Sequence, residues 1–203
     1  MALPAPASQW DQARYRVAER RLTLGRQYRI QAADGTLLAY VAQRWMRIKE
    51  AWTVYTDESK AAVAFQVKAT KVFDFQANLE VRDAAGTLLG TLRRKGWASI
   101  VADHWQVLDP SGFVVGELLE AKGRGVARRM LTRLIPYRAQ VVDADQRPLA
   151  RVEGTFQVWG DTYDVHVDRA GLLDARVLCC LVVVVDSLSA ERGSLLDVTG
   201  LGS

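Results

Sequence analysis

From Ala121 to Val142 the chain carries no acidic residue, while Lys122, Arg124, Arg128, Arg129, Arg133 and Arg138 are all basic. Six cations without a counter-charge make a local positive field, and the chemistry open to it is contact with phosphate or carboxylate groups. On a helix, at about 100° per residue, Val126, Ala127, Met130, Leu131, Leu134 and Ile135 fall on one half. Arg128, Arg129 and Arg133 fall on the other, and Pro136 supplies a stop. One reading is a surface helix that lids a core with its apolar half and leaves its arginines in water. The other is contact with anionic lipid, where each basic residue near the membrane adds about 1 kcal/mol and the attachment is weak and salt-sensitive.

Catalysis finds less to work with. The chain has no Gly-x-Ser-x-Gly elbow, no His-Glu-x-x-His pair and no Walker lysine, and Gly123-Arg124-Gly125 is only a fragment of a glycine-rich loop. His104 and His166 fall in strand-like segments with no nucleophile near them in sequence, so a structural role is expected. Asp143-x-Asp145 could open an EF-hand, but Pro148 stands where that loop needs Gly and Gly154 where it needs Glu. Cys179 and Cys180, adjacent in an apolar run, suit neither a disulfide framework nor a zinc site and read as buried thiols. Trp45, Trp52, Trp97, Trp105 and Trp159 read as core packing. The expectation is a protein that is not an enzyme and needs no metal or cofactor. A net charge of +4 and a pI near 9.2 allow attraction to anionic surfaces but fall short of a dedicated nucleic-acid binder, which leaves nucleic acid third among the partners considered.

The elements that would position these residues are repeated hairpins. Leu79 to Gly90 is an alternating strand, an Asp-x-x-Gly turn and a second apolar pair ending in Gly, and Trp105 to Gly116 repeats that order. Weaker copies carry Asp34-Gly35, Asp57 with Lys60, Asp143 with Gln146, and Asp168 with Gly171. With Gly35, Lys60, Gly86, Gly112, Gln146 and Gly171 as equivalent turn positions, the steps are 25, 26, 26, 34 and 25 residues. Each unit fits two strands, and Tyr15 to Leu24 supplies one more at the start, which gives about twelve strands.

The repeat breaks after Gly171, where Val177 to Val185 runs without a polar side chain. The run is far shorter than the roughly 20 residues of a transmembrane helix. Its β-branched valines favour a buried strand locally, and a helix apolar on every face requires protein all round it. Periodicity leaves both open.

Phe156-Gln157-Val158-Trp159-Gly160-Asp161-Thr162-Tyr163-Asp164-Val165, followed by a short link and Leu173 to Leu188, resembles the C-terminal signature of LURP-one-related proteins. The matching residues are Trp159, Gly160, Asp161, Thr162, Tyr163 and, at the end of the apolar helix, Asp186. Gly90-Thr91-Leu92-Arg93-Arg94 is similar to a strand of the related phospholipid scramblases. The resemblance implies a mainly β fold of the tubby-like kind, a closed barrel of about twelve antiparallel strands around a buried C-terminal hydrophobic helix, to which the pattern from Val126 to Ile135 adds one short amphipathic surface helix. Closure removes free edge strands and surrounds a helix that local propensity disfavours.

Tubby domains read phosphoinositides and scramblase-like proteins associate with membranes. The resemblance therefore implies anionic phospholipid as a partner without supplying contact residues; by their charge Lys122, Arg124, Arg128, Arg129, Arg133 and Arg138 offer the contact, and a protein partner is the alternative if the barrel is only a scaffold. Scramblases also carry a proposed calcium segment before their final helix. Asp161, Asp164 and Asp168 stand there, but the segment is shorter and poorer in paired acids, so turn and strand-end roles are expected. Residues 13–190 are expected to form one barrel domain between flexible segments at 1–12 and 191–203. The first residues lack a basic region followed by an apolar stretch, so a cytoplasmic protein is expected, peripheral at the inner face of the membrane.

Overall fold

The computed structural model describes residues 7–22, 25–43, 51–73, 76–94, 104–120, 137–155 and 160–198. Twelve strands follow one another: β1 Arg14–Leu22, β2 Gly25–Ala32, β3 Leu37–Gln43, β4 Trp52–Tyr55, β5 Val63–Phe73 and β6 Gln76–Asp83, then β7 Leu88–Arg94, β8 Trp105–Leu108, β9 Val114–Glu120, β10 Tyr137–Val142, β11 Pro148–Thr155 and β12 Thr162–Val167. Each pairs antiparallel with its neighbours in sequence, and β1 pairs with β12, so the sheet closes into a barrel. One helix, α1 (Ala175–Val198), follows β12, and its apolar residues from Ala175 to Leu188 form part of the core. The expected architecture is therefore present. The surface helix expected at 126–135 lies outside the described residues.

The six turn positions picked out by spacing share one backbone state. Gly35, Lys60, Gly86, Gly112, Gln146 and Gly171 all have φ between 59° and 90°. In four turns the residue at this position donates its N–H to the carbonyl of the Asp three residues earlier, as Lys60 does to Asp57 at 3.2 Å and Gln146 to Asp143 at 3.0 Å. Gly35 bonds instead to Ala32, so Asp34 stands inside its turn, where its carboxylate accepts the Thr36 N–H. The Asp83 and Asp143 carboxylates each accept two backbone N–H groups across their turns.

Lys60 and Gln146 are the two described residues other than glycine with positive φ. A left-handed conformation costs a residue with a Cβ about 1–2 kcal/mol, and the greater freedom of glycine in the unfolded chain offsets about half of that. Lys60→Gly and Gln146→Gly are each expected to stabilise the protein by about 0.5–1 kcal/mol, read as a shift in urea midpoint at unchanged slope.

Inside the barrel the choice between strand and helix is made by hydrogen bonding. Every strand of the wall is already paired on both sides, so an extended segment in the lumen would have no partner for its N–H and C=O groups. A helix bonds its own backbone. Each buried backbone group left unpaired costs about 1–3 kcal/mol, whereas a valine in a helix loses at most about 0.7 kcal/mol relative to alanine. Val177 to Val185 are buried at every position, and burying each such side chain contributes roughly 1.5–3 kcal/mol. The Asp174 carboxylate caps the helix, accepting the Arg176 N–H at 2.8 Å.

Secondary structure is present before residue 13 and past residue 190. A 3-10 turn at Ala7–Trp10 carries Trp10 into the core, stacked on Tyr15 and edge-on to Phe65, and α1 runs to Val198. Trp52 and Trp105 are buried as expected, while Trp45, Trp97 and Trp159 lie outside the described residues.

Candidate functional site

Alternation along β1 and β2 places Tyr15, Val17, Glu19 and Arg21 on the lumen face, facing Arg26, Tyr28, Ile30 and Ala32. Near the start of α1 these inward residues are apolar. Near Asp186 they are charged. There the carboxylates and guanidinium groups alternate in a chain. Arg21 lies 2.7 Å from Asp161 and 3.0 Å from Glu19, and Arg26 lies 2.9 Å from Glu19 and 3.4 Å from Asp186. Asp186 also accepts hydrogen bonds from the hydroxyls of Tyr28, at 2.8 Å, and Tyr163. The Ser187 hydroxyl lies 2.9 Å from Tyr28 and bonds back to the Val183 carbonyl. The chain of charges thus joins β1, β2, the lead-in to β12 and α1.

Gly160 makes this convergence possible. Its φ is 146°, and a Cβ there would lie 2.0 Å from the Glu19 carbonyl oxygen. Without a side chain, the backbone approaches β1 closely enough for the Glu19 N–H to bond the Asp161 carbonyl at 2.7 Å and for the Asp161 N–H to bond the Glu19 carboxylate at 3.2 Å.

Burial pushes the Glu19 carboxyl above the ordinary glutamate range; neighbouring Asp186 adds to the rise, while Arg26 and Arg21 oppose it. Burial likewise holds the Tyr28 phenol well above its usual value, with Asp186 adding to the effect. The oxygens of Glu19, Asp161 and Asp186 come within 4.8 Å of one another, a spacing that could hold a metal ion. Two guanidinium groups already bridge these carboxylates and would repel a divalent cation, so the donor set fits an ion chain better than a metal centre.

Of the signature residues, the structure brings Gly160, Asp161, Tyr163 and Asp186 together. Thr162 opens β12 opposite Ala18 and Thr155, and Trp159 lies outside the described residues. Sequence reasoning missed Glu19, Arg21, Arg26 and Tyr28. The available signal was the alternation itself, which puts charges on the same strand face as Tyr15 and Val17.

The three aspartates weighed for calcium do not converge. Asp161 belongs to the ion chain, Asp164 pairs with Arg16 on the outer surface at 2.9 Å, and Asp168 pairs with Arg151 at 2.5 Å. His166 stands on β12 between Arg14 and Arg151 of the adjacent strands. Cys179 and Cys180 are buried thiols whose pKa values burial pushes far up. Of the basic set, Arg138 is exposed on β10 opposite Glu153, while Lys122, Arg124, Arg128, Arg129 and Arg133 lie outside the described residues.

The profile of a protein family described as LURP-one-related matches residues 37–186. Among solved structures, the X-ray structure of a protein from Arabidopsis thaliana is similar, with a TM-score of 0.52 and 15% sequence identity, over 93% of this chain and 99% of that one. At that identity the likeness concerns the fold. No curated protein matches the sequence.

Proposed function

Because the chain belongs to the LURP-one-related family, whose profile spans most of the barrel and ends at Asp186, we propose that it is a non-enzymatic module that binds anionic phospholipid at a membrane surface. The observation that carries this reading is the acid-free basic stretch between Glu120 at the end of β9 and Tyr137 at the start of β10, continued by the exposed Arg138. The apolar run of α1 is enclosed by the barrel, and among the described residues no helix is long and apolar enough to cross a membrane. Lipid contact then falls to surface charge, through Lys122, Arg124, Arg128, Arg129, Arg133 and Arg138. The reading places the protein in the cytoplasm, peripheral at the inner face of the membrane.

Cosedimentation with vesicles of graded phosphatidylserine or phosphoinositide content tests it. The native protein is expected to bind in proportion to anionic lipid and to release at higher salt. Changing Arg128, Arg129 and Arg133 together to Ala removes about 1 kcal/mol apiece, a drop in affinity on the order of 100-fold. Equal recovery with neutral and anionic vesicles at low salt would sink the proposal.

One observation favours a second reading, a protein-interaction scaffold. Phe113 is 72% exposed and Leu172 55% exposed, although both are large and apolar. A hollow of about 170 Å³, lined in part by Val107, Leu108, Pro110, Leu172 and Val177, lies at the same turns. Absence of vesicle binding by the native protein would make this the better account.

A further inference from the structure

The barrel has two chemically different ends. β9 runs from Val114 to Glu120, about 20 Å at the rise of a strand, so the basic connection to β10 starts at one end and the Asp-capped turns stand at the other. At the turn end the connections 33–36, 56–62, 109–113, 143–147 and 168–174 carry eight acidic residues against three basic. Asp83, at the end of β6, adds a ninth acid. This end repels an anionic surface and attracts cations.

The same end gathers the exposed apolar side chains. Among the described residues the large hydrophobics left in water are Phe113, Val114 and Leu172, all at or beside the turns that follow β8 and β12. Leu172 lines the hollow of about 170 Å³, together with Leu89, Val107, Val115 and Val177. A cavity of about 150 Å³ lined by Leu, Ile and Phe holds one benzene ring, whereas pockets for larger ligands run to about 300–1,000 Å³. The hollow therefore matches a single large apolar side chain.

Asp109 and Asp174 also line the hollow, and they differ. Asp174 is occupied, since it caps α1 and pairs with the Arg176 guanidinium at 2.7 Å. Asp109 Oδ1 accepts the Phe113 N–H at 2.9 Å, and none of the described residues supplies this carboxylate with a cation. A carboxylate open to a positive charge thus borders a socket for an apolar group.

We infer that the turn end of the barrel is a docking site for a partner protein segment in which one large apolar side chain is flanked by arginine or lysine. The apolar side chain fills the hollow beside Leu172, and a flanking cation meets Asp109. The surrounding acids select against anionic lipid, and the apolar tips face away from any membrane that the basic connection touches. The inference rests on the protein-interaction reading and is independent of the lipid one, because the two surfaces lie at opposite ends.

The test uses the full chain without lipid, so its failure is separate from that of the lipid reading. An isotope-labelled sample is titrated, by amide NMR, with a synthetic peptide of one leucine between two pairs of arginines. A matched peptide carries serine in place of the leucine. The leucine peptide is expected to bind on the order of tenfold more tightly, with shifts at Leu108, Asp109 and Leu173, and to weaken as salt rises. Leu172→Ser is expected to reduce its affinity by about fivefold to tenfold. Asp109→Asn, which keeps an oxygen to cap the turn, is expected to reduce it by about twofold to fivefold. Comparison of the two peptides needs only the native protein, so it decides even if a variant fails to fold. Equal affinity for both peptides, or no binding of the leucine peptide at about 1 mM, would overturn the inference. Self-association or vesicle binding that Leu172→Ser abolishes, with no peptide bound by the native protein, would give the hollow to a second copy or to lipid and overturn it as well.

Discussion

Asp186→Ala is expected to destabilise the protein by about 3–5 kcal/mol, the amount typical when one partner of a buried ion pair is removed. Arg26 would lose one of its two carboxylates, and the hydroxyl of Tyr163 would lose its acceptor on α1. Tyr28 would keep Ser187 as a partner, so the loss is shared unevenly between the two phenols. Against a typical total stability of about 5–15 kcal/mol, such a loss takes a fifth or more of the margin. For a domain of this size it corresponds to a fall in Tm of roughly 6–20 °C. Removing the same carboxylate also relieves repulsion on Glu19, which holds the effect below the sum of the broken contacts. Urea unfolding at neutral pH measures it, and a loss below about 1 kcal/mol would mean that Asp186 is not a structural anchor of the helix.

Gly160→Ala follows with an expected cost of about 3 kcal/mol or more. The added Cβ would meet the Glu19 carbonyl oxygen at 2.0 Å and the Glu19 carbonyl carbon at 2.7 Å. Both are backbone atoms of a paired strand and cannot swing aside. Relief requires the lead-in to β12 to move away from β1, which breaks the 2.7 Å bond between Glu19 and Asp161 and pulls Asp161 from Arg21. Gly35→Ala is the matched control. It also has positive φ, but its added Cβ meets nothing within 4 Å, so it carries only the net conformational cost of about 0.5–1 kcal/mol. Equal losses in the two variants, measured side by side by chemical denaturation, would show that the close approach at Gly160 contributes nothing.

The wall of the barrel was readable in the sequence because its turns repeat a local constraint. A residue that must adopt positive φ selects Gly, and the Asp before it selects a carboxylate that can cap the turn, so chemistry and spacing recur together at Gly86 and Gly112. Lys60 and Gln146 kept the spacing without the glycine, and the repeat still placed them correctly. Val177 to Val185 was ambiguous for the opposite reason. Its state is set by the absence of a free strand edge around it, a property of the closed sheet that no window of residues contains.

The site divides in the same way. Gly160, Asp161, Tyr163 and Asp186 form a compact motif and were recognised by resemblance. Glu19, Arg21 and Arg26 meet that motif only through closure of β1 on β12, about 140–160 residues away along the chain. In sequence they look like the charged outer face of an ordinary strand. Their alternation with Tyr15 and Val17 is the one local sign of an inward face, and it does not reveal their partners, which are evident only in three dimensions.

The order of elements along the chain also constrains how the molecule is made. Each hairpin can form from neighbouring residues, but the seam that closes the sheet joins Arg14 to His166, and the segment that fills the lumen is translated after both. At about 5–20 residues per second, the first hairpins wait roughly 7–30 s before the helix has been made. Throughout that interval the faces bearing Tyr15, Ile30, Val67 and Leu79 have nothing to enclose. The nascent chain is therefore an open, sticky sheet until its last element arrives, the stage at which a holdase chaperone would have most to protect.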